Sequence, residues 1–139
     1  MGVADFKVFD LPEPERDRLV VMLASFFRAR PGVRLAFLFG PFVAGRPFRW
    51  VEVGVEWTPG VGDPDRAAAL LERALSHTYG LRWRVVNLRG AGPLTLWQAA
   101  SGLLIHTLDP DRAVDLCRRA WPAAWDFLPK LRRWLHPTG

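Results

Sequence analysis

The sequence predicts an α+β domain of mixed α/β character, with a small mixed sheet of three to four strands and helices packed on one side. Three patterns support this fold class. An apolar stripe at helical spacing precedes the almost wholly apolar run Val33–Phe39, residues 50–58 alternate as a strand does, and helical and strand-like segments then take turns. No internal repeat or long linker divides the 139 residues, which indicates one domain over residues 1–139.

The first helix is expected to begin near Pro12–Pro14, because proline suits the first helical turn and Asp10 can cap the free amides. The letters "RPGV" end it at Arg30–Gly32. The run Val33–Phe39 has the composition of a strand that is covered on both faces. The predicted buried stripe of the helix consists of Leu19, Met22, Leu23, Phe26 and Phe27.

A glycine-bounded turn, Gly40–Gly45, joins this strand to a second one. In the second strand the side chains alternate between two faces from Trp50 to Thr58. One face carries Val51, Val53, Val55 and Trp57, and the other carries Trp50, Glu52, Gly54 and Glu56.

The second half begins with a helix that Asp63 caps, with Pro64 in its first turn, running to about His77 and ended by Gly80. Residues 81–88 then form a third strand. The remaining segments are a helix near Pro93–Ser101, the short apolar stretch "LLIHT", and a last helix from Asp109–Pro110 whose buried face includes Ala113, Leu116, Cys117 and Ala120. His106 is interpreted as a packing residue, not a metal ligand.

The composition is that of an ordinary soluble globule, with a formal net charge of +5 and seventeen arginines among the nineteen basic residues. These arginines are scattered, which argues against nucleic-acid binding, and GC-rich coding bias explains their number better than selection for nucleic-acid binding does. No apolar run is long enough to span a membrane, and the N-terminus has no signal-peptide pattern. The single cysteine, Cys117, cannot form an internal disulfide. We therefore expect a cytoplasmic protein.

Several motifs in this order resemble the minimal nucleotidyltransferase (MNT) family, a branch of the polymerase-β-type nucleotidyltransferases. That family has a strand, a Gly-Ser turn, about ten residues, and Asp-x-Asp on the next strand. "FLFG" at Phe37–Gly40 resembles the first strand with its glycine, and Gly45 matches the second glycine of the turn. Downstream, "RVVNL", "GPLTLWQAASGLLIHT" and "AWDFLPKLRRW" resemble later family segments, so that the likeness covers most of residues 12–135.

The resemblance implies a metal-dependent site whose ligands are mostly missing here. Two aspartates at i and i+2 of a strand share a face and hold Mg²⁺ through hard carboxylate oxygens. In this sequence the serine position falls on Pro41, the two aspartate positions on Glu52 and Gly54, and a third carboxylate position on Arg84. An alignment shifted by two residues places Trp50 and Glu52 at the pair instead, which does not restore it.

We hypothesise that the Arg84 guanidinium lies where a metal would have been and pairs with Glu52 or Glu56. The competing interpretation is that all three are solvated strand residues. Glu56 shares the face of Glu52, so the two are the candidate ligands of a relaxed metal site. Gly40 and Gly45 are the candidate nucleotide-binding positions.

Two functions follow from the resemblance. The first is a non-catalytic MNT-like protein, a pseudoenzyme of the toxin–antitoxin type that binds a small helical HEPT-like partner without any cofactor. The aromatic, arginine-rich end of the last helix is its expected contact surface, and self-association as a homo-oligomer is compatible with this function. The alternative is an active nucleotidyltransferase that uses Mg²⁺ and ATP to adenylylate a protein partner through Glu52 and Glu56.

Overall fold

The computed structural model describes residues 7–123, in which four helices and four strands are present. They follow one another as α1 (Glu13–Arg28), β1 (Val33–Phe39), β2 (Val51–Trp57), α2 (Pro64–Tyr79), β3 (Trp83–Asn87), α3 (Pro93–Ala100), β4 (Leu103–Thr107) and α4 (Pro110–Ala123). The predicted α+β class is confirmed. Within this part of the chain, no helix combines the length and apolar composition that crossing a membrane requires.

The four strands form one mixed sheet in the order β3-β2-β1-β4. β1 pairs antiparallel with both β2 and β4, whereas β2 and β3 run parallel because α2 crosses over between them. The stretch "LLIHT", predicted only as a short apolar segment, supplies β4, in which Leu103 pairs with Leu38 and Thr107 with Leu35. The sheet therefore has the larger of the two predicted strand numbers.

Helices cover both faces of the sheet, so the expectation that they pack on one side is wrong. Ala36 and Leu38 of β1 belong to a buried cluster with α1 and α2, whereas Leu35, Phe37 and Phe39 belong to a second cluster with α3 and α4. The physical reason lies in β1 itself, because apolar side chains on both faces of a strand must both be removed from water. Full burial of one such leucine or phenylalanine stabilises the fold by about 1.5–3 kcal/mol.

The alternation along β2 distributes its residues between these two faces. Its three valines are fully buried on the side of α1 and α2. Gly54 lies against α3, and Glu56 bonds to α4, which places the opposite set of β2 residues on the side of α3 and α4. The candidate site residues therefore share a helix-covered face.

The start of α1 lies within the predicted Pro12–Pro14, but its cap differs from the prediction. The helix begins at Glu13 with Pro12 at the cap position and has no side-chain cap, so Asp10 is not the capping residue. Asp10 instead accepts a hydrogen bond from Arg16 at 3.1 Å. Because Pro12 occupies the cap position, Asp10 lies two residues before it and cannot act as the cap. Its carboxylate pairs with Arg16 instead.

The buried stripe of α1 is narrower than predicted. Leu19, Leu23 and Phe27, spaced by four residues, are buried, and Phe26 packs beside them. Met22 is 40% exposed, so its assignment to the core is wrong. A helix that lies on a flat sheet buries one line of side chains, and Met22 falls on the margin of that line.

Other local predictions hold. Asp63 caps α2 by accepting the Asp65 amide at 3.0 Å, and Gly80 ends the helix with a φ of 68°. His106 is buried, with its Nε2 3.2 Å from the carbonyl oxygen of Val33 and its ring stacked on Phe27. It is a hydrogen-bonded packing residue, as expected.

One buried cation holds the glycine turn against α1. The Arg16 guanidinium donates to the carbonyl oxygens of Leu11 at 2.6 Å, Phe42 at 2.9 Å and Arg46 at 3.1 Å. It also lies over the rings of Phe42 and Phe48, at 5.5 and 5.3 Å from their centroids. The Arg16 side chain therefore links carbonyl groups of two segments, the start of α1 and the glycine turn.

Replacing this cation is expected to destabilise the fold. Arg16→Met keeps an unbranched apolar stem but removes the guanidinium bonds to three buried or partly buried carbonyl groups, and we expect it to lower the free energy of unfolding by about 2–4 kcal/mol. Arg18→Met, an exposed change on the same helix, is the matched control and is expected to stay within about 0.5 kcal/mol. Urea denaturation measures both, and equal effects of the two variants would contradict the anchoring role of Arg16.

Candidate functional site

Three of the predicted site residues meet at one end of the sheet. In the strand register, Glu52 lies opposite Phe39 on β1 and beside Arg84 on β3. Gly40 directly follows Phe39, so the glycine turn reaches the same end. Glu56 lies four residues further along β2, at the far end of the strand.

The turn after β1 has few donors left for a phosphate. Gly40 and Gly45 have φ values of 86° and 76°, a conformation that favours glycine. The amides of residues 44–46 donate to the carbonyls of residues 40–42 at 3.0–3.3 Å, so these three N–H groups are already bonded within the turn. Pro41 adds neither a hydroxyl nor an N–H. The turn keeps its shape but cannot cradle an anion with these amides.

Glu52 occupies the space beside this turn. A Cβ atom built on Gly40 would meet Oε2 of Glu52, so the carboxylate lies directly against the Gly40 backbone. Arg84 Nη1 is 4.0 Å from Glu52 Oε1, and the Arg84 guanidinium also lies 4.8 Å from the centroid of the Trp50 ring. Burial raises the pKa of Glu52 above its usual value, and the charge of Arg84 only partly opposes this shift. The pairing with Arg84 is present but weak.

The second carboxylate position is filled by the hydrophobic core. A Cβ atom on Gly54 would lie 2.8 Å from Cδ2 of Leu88 and 3.3 Å from Cβ of Ala99. Both neighbours are buried members of the cluster beneath α3 and α4. Any side chain at this position would therefore require Leu88 to move, and the space where a metal-binding carboxylate would lie is filled by the core.

Glu56 is bound to α4 and not to Arg84. This carboxylate is 3% exposed, and Arg112 donates to it twice, Nε to Oε1 and Nη2 to Oε2, both at 2.7 Å. Arg34 Nη1 approaches Oε1 at 3.8 Å. Two short parallel bonds make this the strongest class of arginine–carboxylate contact. The proposed pairing of Arg84 with Glu56 is wrong, because Arg112 takes that position.

The pair belongs to a chain of charges at the start of α4. Arg112 also donates to Asp115 at 2.9 Å, and Arg34 donates to Asp109 at 3.3 Å. The hydrogen bond from Arg112 to Glu56 raises the pKa of Arg112. Hydrogen bonds from the Arg112 amide and the Arg34 side chain lower the pKa of Asp109. The network fixes the N-terminal turn of α4 to the sheet.

These residues do not fit a magnesium ion. Four residues of strand separate Glu52 from Glu56 by about 13 Å at a rise of 3.3 Å each, and Glu56 is already neutralised. Within residues 7–123, no group of three or more His, Cys, Asp or Glu side chains is close enough to hold a metal. The alternative alignment on Trp50 and Glu52 offers one carboxylate only. The Trp50 ring contacts the guanidinium groups of Arg82 and Arg84.

Sequence reasoning missed Arg112 and Arg34 as the partners of Glu56. Their sequence separation from Glu56 hides the contact, but one signal was present: a glutamate within a strand that is covered on both faces must have a cation. Cys117, expected to be buried, is only half-buried, and burial raises the pKa of its thiol. The expected contact surface "AWDFLPKLRRW", residues 124–134, lies outside the described residues.

No protein-family model and no curated protein matches this chain. Solved structures do. A chain of the complex of tri-AMPylated Shewanella oneidensis HEPN toxin with MNT antitoxin is similar at a TM-score of 0.60 and 15% identity, covering 86% of this chain and 94% of that one. Chains of the toxin–antitoxin MntA–HepT and of the toxin–antitoxin with AMP-PNP give TM-scores of 0.56 and 0.58 at 14% identity, each covering 89% of this chain and 95% of the other.

These similarities extend over nearly the whole of the compared chains, at identities that establish architecture alone. They agree with the strand, glycine turn and strand that the sequence resemblance singled out. The chain therefore has the minimal-nucleotidyltransferase-type fold.

Proposed function

We propose that this chain is a non-catalytic protein of antitoxin type, which acts by binding a small helical HEPT-like or HEPN-type partner. It works as one domain in the cytoplasm and needs neither Mg²⁺ nor ATP. The structural neighbours support the partner class, since their complexes pair an MNT antitoxin with a HEPN toxin. Nucleotide chemistry belongs to some of those neighbours, of which one contains AMP-PNP and another an AMPylated toxin.

The closed position at Gly54 is the observation that carries this proposal. In a nucleotidyl transfer, metal-bound carboxylates offset the negative charge that develops on the transferred phosphoryl group. Here Leu88 and Ala99 occupy the space of one ligand, and Glu56, at the far end of β2, is bound by Arg112. Within residues 7–123, no cluster of metal-binding side chains includes Glu52, and binding is a function that the scaffold can perform without one.

The growth test takes as candidate partner any small helical protein found to be encoded beside the gene of this chain. Expressed alone it is expected to arrest growth, and the full chain is expected to restore growth. Glu52→Gln is expected to restore growth equally, because no step uses the Glu52 carboxylate. Loss of rescue in Glu52→Gln, together with an AMP group on the partner by mass spectrometry, would establish the active nucleotidyltransferase instead. Titration calorimetry with Mg²⁺ and AMP-PNP is expected to give no metal-dependent heat.

Restoring the missing aspartate is expected to damage the fold instead of creating a metal site. Gly54→Asp forces Cβ against Leu88 and buries a charge, which should cost about 3 kcal/mol or more of stability. Gly54→Ala, which adds the crowding without the charge, is the control and should cost about 1–3 kcal/mol. Thermal unfolding with and without Mg²⁺ measures both variants. A Gly54→Asp protein that is as stable as the parent and is stabilised further by Mg²⁺ would contradict the closed site.

The same substitution at the two glutamates is expected to have opposite consequences. Glu56→Gln removes the charge that two bonds from Arg112 require and should cost about 2–4 kcal/mol of stability. Glu52→Gln should be neutral or stabilising by less than about 1 kcal/mol at pH 7, because its raised pKa means that folding disfavours the ionised form. Since the folded chain holds this proton more tightly, the difference between Glu52→Gln and the parent should disappear below the usual glutamate pKa of 4.5.

Urea denaturation across this pH range measures both variants. Equal losses in the two would mean that the glutamates act as one site. That outcome would favour the relaxed metal site over the separate structural assignments.

A further inference from the structure

An open apolar groove lies between the edge strand β4 and helix α4. Its volume is about 880 Å³, and its lining includes Phe37, Leu104, Val114, Cys117 and Arg118. Leu104 and Val114 are 41% and 50% exposed, and Leu108 beside them is 55% exposed. Grooves of this size with an apolar lining are typical of ligand and helix docking sites.

The two edge strands of the sheet, β3 and β4, differ in how far side chains from other elements cover them. On β3, the outward amide of Val85 donates to Glu72 of α2 at 2.8 Å, and Asn87 donates to Asp65 at 3.1 Å. These polar contacts protect that edge from further pairing. Among residues 7–123, no comparable side chain covers the outer side of β4, where exposed leucines lie instead. An exposed apolar edge beside a groove is a feature of interaction surfaces.

The charge at the rim of the groove selects its occupant. Arg118 is exposed and, within the described part of the chain, forms no ion pair, whereas Arg112 and Arg119 share the carboxylate of Asp115. A second copy of the chain that docked through the same α4 surface would bring another Arg118 to the groove. The C-terminal residues of this chain are basic too, with Lys130, Arg132 and Arg133 against the single Asp126. Charge complementarity therefore favours a separate protein that carries carboxylates.

We propose that the groove between β4 and α4 docks an amphipathic helix of a separate protein, with its apolar face inward and carboxylates along the side that meets Arg118. The inference rests on the proposed function and deepens it, because it names the surface and the chemistry through which a helical partner is held. Apolar side chains at i, i+3, i+4 and i+7 of the partner would enter the groove.

The single cysteine makes this inference testable on the intact chain. Cys117 lines the groove, and its alkylation by iodoacetamide, followed by mass spectrometry, reports whether the groove is covered. The probes are two synthetic helical peptides with the same leucine face, one flanked by glutamates and the other by lysines. The glutamate peptide is expected to slow alkylation and to bind about tenfold more tightly than the lysine peptide by fluorescence anisotropy.

Variants of exposed residues separate docking from misfolding. Val114→Glu is expected to weaken binding of the glutamate peptide about tenfold, whereas Val21→Glu, the same change at an exposed site on α1, should leave binding unchanged. Arg118→Glu should reverse the preference in favour of the lysine peptide. Circular dichroism checks that each variant is folded.

The proposal would be overturned if neither peptide binds or if both bind equally. It would also be overturned if Cys117 of the free chain is already protected from alkylation and no peptide changes its alkylation rate, because this result assigns the groove to the chain's own C-terminal residues. Protection of Cys117 that rises with protein concentration, together with a dimer in sedimentation, would overturn it as well. Failure of the growth test leaves these peptide measurements unaffected, so the two proposals fail separately.

Discussion

The structure depends on one constraint: its sheet is covered by helices on both faces, so any charge on an inner strand must have a partner. Glu56 meets this requirement through the two bonds from Arg112, which also attach α4 to the sheet. Without that attachment, the apolar side chains of Leu35, Phe37 and Phe39 would lose part of their cover. Charge pairing and hydrophobic burial therefore support each other on this face. The main role of the Glu56–Arg112 pair is to stabilise the fold.

The same constraint shapes the candidate site at the Glu52 end of the sheet. A catalytic carboxylate pair needs an opening in the face that covers it, where metal and phosphate can enter. Here the core closes at Gly54, while the turn at Gly40 and the Glu52 carboxylate lie against each other. The groove between β4 and α4 is an apolar surface that the covering helices leave open.

The sequence allowed some elements to be predicted closely and left others hidden, for physical reasons. The bounds of β1 and the capping of α2 by Asp63 were predictable because they rest on contiguous residues and local turn chemistry. The partner of Glu56 was hidden because it comes from an element 56 residues away. The apolar residues on both faces of β1 indicate helices on both faces of the sheet, whereas the predicted fold class has helices on one side only. At the site, alternation placed Glu52 and Gly54 on one face, whereas only packing against Leu88 could reveal that the glycine position is filled.

Arg16 has a consequence for how such a protein can change over time. When a binding loop is ordered only by its ligand, the loop loses its defined conformation once the ligand is gone. Here the Arg16 guanidinium of α1 holds the loop through the carbonyl oxygens of Phe42 and Arg46, and the amides of residues 44–46 bond to carbonyls of the same loop. The conformation of the loop therefore rests on contacts within the chain, so that substitutions at neighbouring site positions can leave it in place.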